Sequence, residues 1–243
     1  MNAIADAAVT AFDPSQAIGQ IAVELPGATA VFRRLKLDFC CGGQISLRQA
    51  TADKGLDLQA VVQELSALQR PDTLPETGTP AELIGHIVSR YHEVHRQQLP
   101  ELIRMARRVE AVHRGNPHVP AGLADVLEEM EQELLSHMHK EEAILFPMLA
   151  RGGNDFVVQP IGVMRSEHNE HGEALEHIAR LTTDMVPPPG ACNTWRALYA
   201  GLAQLADDLV NHIHLENNVL FPQFEPAAAQ GCGSTSACGC SGS

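Results

Sequence analysis

The stretch His137-Met-His139-Lys-Glu141-Glu-Ala-Ile-Leu-Phe-Pro147 returns 75 residues later as His212-Ile-His214-Leu-Glu216-Asn-Asn-Val-Leu-Phe-Pro222. Both copies read H-x-H-x-E-x-x-[IV]-L-F-P. On a helix, residues i and i+4 share a face one turn apart. His137 with Glu141, and His212 with Glu216, can therefore each bring an imidazole and a carboxylate to one metal ion. A single H-x-x-x-E is most simply a surface ion pair. Two copies ahead of the same Leu-Phe-Pro mark a duplicated helix pair and favour metal binding.

The duplication extends upstream. Tyr91-His92-Glu93-Val94-His95 precedes the first copy and Glu167-His168-Asn169-Glu170-His171 the second; His92 lies 45 residues before His137, and His168 lies 44 before His212. Each half thus offers one histidine helix and one H-x-x-x-E helix. Facing each other, the halves supply four histidines and two glutamates, enough to give two metals two imidazoles each with both carboxylates bridging. His95 and His171 obey the same symmetry as His92 and His168, and spacing alone does not choose between the pairs. His139 and His214 stand two residues from their neighbours, about 200° around the helix, and are expected to point outward. His86, His113, His118 and His177 have no repeat partner and read as ordinary surface or internally satisfied histidines.

The surroundings predict an all-α chain. Thr79-Pro80-Ala81-Glu82 is a capping box with proline at the first helical position. Helices are expected from Pro80 to the loop at His113, from about Ala121 to Leu149, from Pro160 to Thr183 and from Asn193 to Phe221, with no β-pattern between them. This is a four-helix bundle. Residues 1–70 read as a small helical N-terminal domain, 71–79 as a Pro-rich linker, 80–224 as the bundle and 225–243 as a flexible tail carrying Cys232, Cys238 and Cys240. Asp57 is placed to cap a helix with Leu58, Val61, Val62 and Leu65 on one side.

Composition narrows the function. Against 17 Lys and Arg stand 30 Asp and Glu, a net charge of −13, which argues against a nucleic-acid surface. No apolar run reaches membrane-spanning length, and the N-terminus carries no secretory pattern. The six cysteines do not form a secreted disulfide framework. A cytoplasmic chain with reduced thiols is expected, as a monomer or homodimer. Imidazole and carboxylate without thiolate in the bundle suit iron, manganese or zinc. The zinc-protease H-E-x-x-H is absent, and the E-x-x-H of ferritin-like sites is met only by Glu110 and His113 at a helix end. A His-rich, carboxylate-bridged pair points to haemerythrin-type iron.

At these residues the chain resembles the haemerythrin-like family, and within it the Repair of Iron Centres proteins. The resemblance rests on Asp38-Phe-Cys40-Cys41-Gly42-Gly43, on Arg90-Tyr91-His92-Glu93-Val94-His95-Arg96-Gln97-Gln98-Leu99-Pro100, on Ser136 through Pro147, on Ser166-Glu167-His168 and on Leu215 through Pro222, and it covers residues 17 to 224. It implies a haemerythrin-like four-helix bundle and two non-haem iron ions, oxo- and carboxylate-bridged. The implied ligands are His92, His137, Glu141, His168, His212 and Glu216, which separates His92 and His168 from His95 and His171. It also implies a role in nitrosative and oxidative stress, with damaged iron–sulfur proteins and nitric oxide as partners. Oxygen-carrying haemerythrins use five histidines and an aspartate five residues after a ligand histidine; Asn217 stands there in this chain, leaving more open coordination.

Cys40 and Cys41 are the second candidate site. The plain reading is two small side chains packed at a helix end. The functional reading is a soft thiolate pair that accepts iron or passes electrons, in a small domain whose linker of roughly ten residues spans ~30 Å and lets it approach and leave the bundle. Three functions follow: repair of iron–sulfur centres by iron donation or nitric oxide handling, reduction of nitric oxide by an enzyme, or a gas store or sensor without turnover.

Overall fold

The computed structural model describes residues 13–68, 78–154 and 156–225. Residues 71–77 of the expected linker and the tail cysteines Cys232, Cys238 and Cys240 lie outside the described residues. Within them, all regular structure is helical, apart from one isolated antiparallel bridge between Ala17 and Ser46. The chain is all-α, as expected. No helix among the described residues is long and apolar enough to cross a membrane.

The N-terminal part holds α1 (Ile18–Glu24), α2 (Ala28–Arg34), α3 (Leu47–Asp53) and α4 (Leu58–Ala67). Ser46 caps α3, and Asp57 caps α4 by accepting from the Gln59 amide, as its sequence position predicts. Ile18, Ile21, Phe32, Leu47 and Leu65 close a small core of their own. These four helices are short, so the apolar stripe of each is covered by the others, with Val210 of the bundle packed against the same core.

The bundle consists of four helical rods. The first is α5 (Pro80–Ile87), a π-helical turn (Val88–His92) and α6 (Glu93–Val112). The second is α7 (Leu123–Lys140), a π turn (Glu141–Leu145) and α8 (Phe146–Ala150). The third is α9 (Val158–Leu181). The fourth is α10 (Asn193–Leu215), a π turn (Glu216–Leu220) and a 3₁₀ turn (Phe221–Gln223). Thr79 and Glu82 form the expected capping box. Two of the π turns stand two residues before Pro147 and Pro222. Proline has no N–H to return to the carbonyl four residues back, and just before it the helix widens by one residue.

The bundle core is split. Leu99, Leu102, Leu127, Leu134, Trp195, Leu202 and Leu209 fill one end. Ile87, Leu145, Phe146, Ile161, Met164, Leu220 and Phe221 fill the other. Every rod crosses from one cluster to the other, and in each the crossing point is a histidine: His92, His137, His168 and His212. The two apolar clusters therefore sandwich one polar layer.

The loop after α2 docks on the fourth rod. The Asn218 side-chain amide donates to the carbonyls of Phe39 and Cys40, both at 3.2 Å, and the Gly19 amide donates to Gly43 at 2.8 Å. A Cβ on Gly43 would lie 2.4 Å from the Phe39 carbonyl oxygen and 3.0 Å from Asn218 Oδ1. Both neighbours are held by these hydrogen bonds and cannot yield cheaply. Gly43→Ala is expected to destabilise the chain by about 1–3 kcal/mol, read as a lower denaturant midpoint at unchanged slope. An unshifted midpoint would show that the loop is not held here.

Candidate metal centre

His92, His137, Glu141, His168, His212 and Glu216 meet in the polar layer, all at 0–1% exposure. Their donor atoms fall into two groups. His92 Nε2 and His212 Nε2 are 3.0 Å apart. His137 Nε2 and His168 Nε2 are 3.1 Å apart. Glu216 Oε1 lies 3.0 Å from His212 Nε2, while its Oε2 lies 3.0 Å from His168 Nε2. Glu141 Oε2 lies 3.4 Å from His92 Nε2, while its Oε1 lies 3.4 Å from His137 Nε2. Each carboxylate thus sends one oxygen to each histidine pair. The two groups, His92, Glu141, His212, Glu216 and His137, Glu141, His168, Glu216, each gather donors within 4.8 Å of one another.

The outer nitrogens explain why these rings face inward. His92 Nδ1 lies 2.6 Å from Glu142 Oε1, which also takes a hydrogen bond from Arg96. His168 Nδ1 lies 2.9 Å from Asn217 Oδ1. His137 Nδ1 lies 2.8 Å from Glu167 Oε2, and Lys140 pairs with the same carboxylate. An Nδ1–H donated outward leaves a lone pair on Nε2. His212 has no such tie; Tyr91 stacks on it at 5.6 Å with 8° between planes, and Arg90, paired with buried Asp208, lies over Tyr91. The phenylalanines of the repeat stack in turn on His92 (Phe146) and His168 (Phe221).

These environments set the charge. Burial, then the neighbouring His212, lowers the His92 pKa to about 4; burial and His168 hold His137 well below its ordinary value. Burial and the facing Glu216 push Glu141 well above the carboxylate range. Burial opposes ionisation of Glu216 too, yet His212 and His168 hold its pKa well below normal. The Nε2 atoms converge in two pairs at about 3 Å, and neither oxygen of Glu141 has a hydrogen-bond partner among the described residues. Converging imidazole nitrogens and orphaned carboxyl oxygens inside an apolar sandwich are a costly arrangement that a cation among them would satisfy. The residues present fit a pair of metal ions.

The remaining expectations divide. His95 and His171 are buried beside the layer but belong to neither donor group. His139 is exposed as expected. His214 is not: it is 5% exposed, edge-on to Phe39 at 5.2 Å, with Nδ1 3.1 Å from the Asn218 amide. The docked N-terminal loop covers a helix face that spacing within the bundle left open. His86, His118 and His177 are exposed, and His113 lies 3.2 Å from Cys192 Sγ.

Cys40 and Cys41 are docked rather than detached. Cys40 joins the bundle core, Cys41 Sγ lies 3.6 Å from the His168 carbonyl, and the two sulfurs are 3.7 Å apart. A hydrogen bond to Cys41, with burial, raises the Cys40 pKa far above its ordinary value. Asp38 accepts from the amides of Cys41 and Gly42 and completes a third group able to hold a metal ion, Asp38, Cys40 and Cys41. Asn217 joins the two regions: its Oδ1 meets His168 and its Nδ2 donates to the Cys40 carbonyl at 3.0 Å. The expected coming and going of a small domain overlooked this latch.

Sequence reasoning assigned no role to Glu142, Glu167 or Tyr91. The signal was present. Glu142 and Asn217 each follow a repeat glutamate, Glu167 and Tyr91 each precede an upstream histidine, and each repeat supplies a phenylalanine to the histidine it holds.

Residues 83–224 match the Hemerythrin HHE cation binding domain, and residues 14–69 match a Domain of Unknown function (DUF542). The chain is 50% identical to the Iron-sulfur cluster repair protein YtfE of Cronobacter sakazakii over 86% of its length and 95% of the relative's. Identity to the proteins of the same name from Citrobacter koseri and Escherichia coli K12 is 49%, over 86% of this chain and 96% of theirs. With the bundle, the duplicated histidine–glutamate layer and the N-terminal thiol loop all in place, the chain belongs to the YtfE family of haemerythrin-like proteins.

Proposed function

We propose that the chain holds two non-haem iron ions and uses them to restore iron–sulfur centres damaged by nitrosative or oxidative stress. The observation that supports this most is the shared pair of carboxylates: each glutamate offers one oxygen to each histidine pair, a donor set suited to two adjacent cations. His92, His137, His168 and His212 would supply the nitrogens, and Glu141 and Glu216 the bridges. Bound there, iron brings redox chemistry and affinity for small ligands such as nitric oxide. The relatives' name, iron–sulfur cluster repair protein, favours iron delivery over turnover of nitric oxide. Four protein donors per ion leave coordination open, and the thiol group at Asp38, Cys40 and Cys41 provides softer ligands on the same side as His168. A cytoplasmic setting suits both reduced thiols and iron–sulfur acceptors.

The test is iron transfer. Iron-loaded protein mixed with an apo iron–sulfur acceptor should restore the acceptor's cluster when sulfide is present. An acceptor that stays inactive while the donor keeps its iron, or a donor that instead generates nitrous oxide catalytically, would overturn the reading. Cys40→Ser/Cys41→Ser should keep both bundle irons, because neither thiol belongs to their donor groups. Its rate of cluster restoration is expected to fall about tenfold, since serine removes the soft sulfur ligands that would receive iron on its way out of the bundle. Unchanged restoration would reduce the pair to packing.

A further inference from the structure

His95 and His171 are the imidazoles that the centre leaves unused. They are equivalents in the internal repeat, three residues after His92 and His168. Both are buried, at 0% and 2% exposure, and none of their four ring nitrogens has a hydrogen-bond partner among the described residues. Their neighbours His92, His137 and His168 all have Nδ1 tied to an oxygen. A neutral imidazole always carries one N–H, and burying it unpaired costs about 1–3 kcal/mol. One such group is a tolerable packing defect. Two at symmetric positions, each against a different metal-side pair, call for an acceptor that the protein itself does not supply.

Their placement says where that acceptor belongs. The His95 ring lies 5.5 Å from the His212 ring, and the His171 ring lies 5.1 Å from the His137 ring, nearly perpendicular to it. One stands at each donor group, yet neither joins the atoms that converge within 4.8 Å. They stand beside the protein ligands, one ring against each histidine pair.

Building on the two-iron reading, we propose that His95 and His171 are a matched pair of N–H donors, one per metal, that hold a small anion at the open coordination positions. They would be positioning residues. Their ring nitrogens would orient and stabilise the bound anion, and the repeat symmetry would give both ions the same support.

Azide titrated into the iron-loaded full chain tests this, with affinity read from its charge-transfer absorption and iron content measured beforehand. His95→Phe and His171→Phe should each keep about two irons yet bind azide about tenfold more weakly. His95→Gln and His171→Gln, which restore an N–H donor, should recover affinity over the phenylalanine variants. In the parent itself, which needs no substitution to fold, the azide antisymmetric stretch should shift on exchange into D₂O. Parent-like azide affinity in the phenylalanine variants, or an unshifted stretch in the parent, would overturn the proposal. Loss of iron from the phenylalanine variants would also overturn it, by making these histidines ligands. A parent that binds no iron would fail the two-iron reading itself, and the iron assay reveals this before azide is added.

Discussion

Glu216→Leu is expected to lower bound iron from about two ions per chain to less than one, and to abolish the magnetic coupling of any iron that remains. Glu216 touches both histidine pairs at 3.0 Å, one oxygen to each. Removing it would withdraw a donor from both of the proposed ions at once. Two like-charged ions then face each other in a medium of low polarity with less to neutralise them. Leucine is close in volume and apolar, so the bundle should still fold. Glu141→Leu should act in the same sense, because its oxygens also divide between the pairs. Mössbauer spectra showing an intact coupled pair in either variant would refute bridging by that residue.

Stripping the iron should lower the melting temperature by about 10 °C. A ligand present at a thousand times its dissociation constant stabilises by about 4 kcal/mol, and a chain of this size shifts by about 2–4 °C per kcal/mol. The physical source lies in the polar layer. Without ions it holds closely paired imidazole nitrogens, two fully buried carboxyl groups and orphaned oxygens between two apolar clusters. Calorimetry before and after chelation measures the difference. Superimposable transitions would mean that the layer is already satisfied without metal.

Much of this centre was legible from spacing. The i, i+4 pairs and the 75-residue repeat depend only on helix geometry, so spacing alone puts His137 with Glu141, and His212 with Glu216, on one helix face each. The choice of His92 over His95, and of His168 over His171, was not open to the same reasoning. Both pairs lie on the buried stripe, and the difference is made by groups from other rods: Glu142 and Asn217 hold the first pair, and nothing among the described residues holds the second. Such ties cross from helix to helix and leave no periodic trace. The burial of His214 and the docking of Cys40 and Cys41 went unread for a related reason. A linker rich in proline suggests reach, but the latch depends on Asn217 and Asn218 finding backbone carbonyls roughly 180 residues away in sequence.

The π turns at Glu141–Leu145 and Glu216–Leu220 bear on timing as well as shape. A turn closed by an i to i+5 bond is less favourable than the α turns on either side, and here each begins at a carboxylate that would grip both ions. The bundle's two fully buried carboxyl groups are thus mounted on turns of this less favourable kind. Whatever is held between them need not wait for global unfolding to escape; a brief local opening of one turn releases half of the grip. The residence time of the cargo would then follow the fluctuation rate of ten residues. Amide hydrogen exchange at 141–145 and 216–220 would serve as its clock.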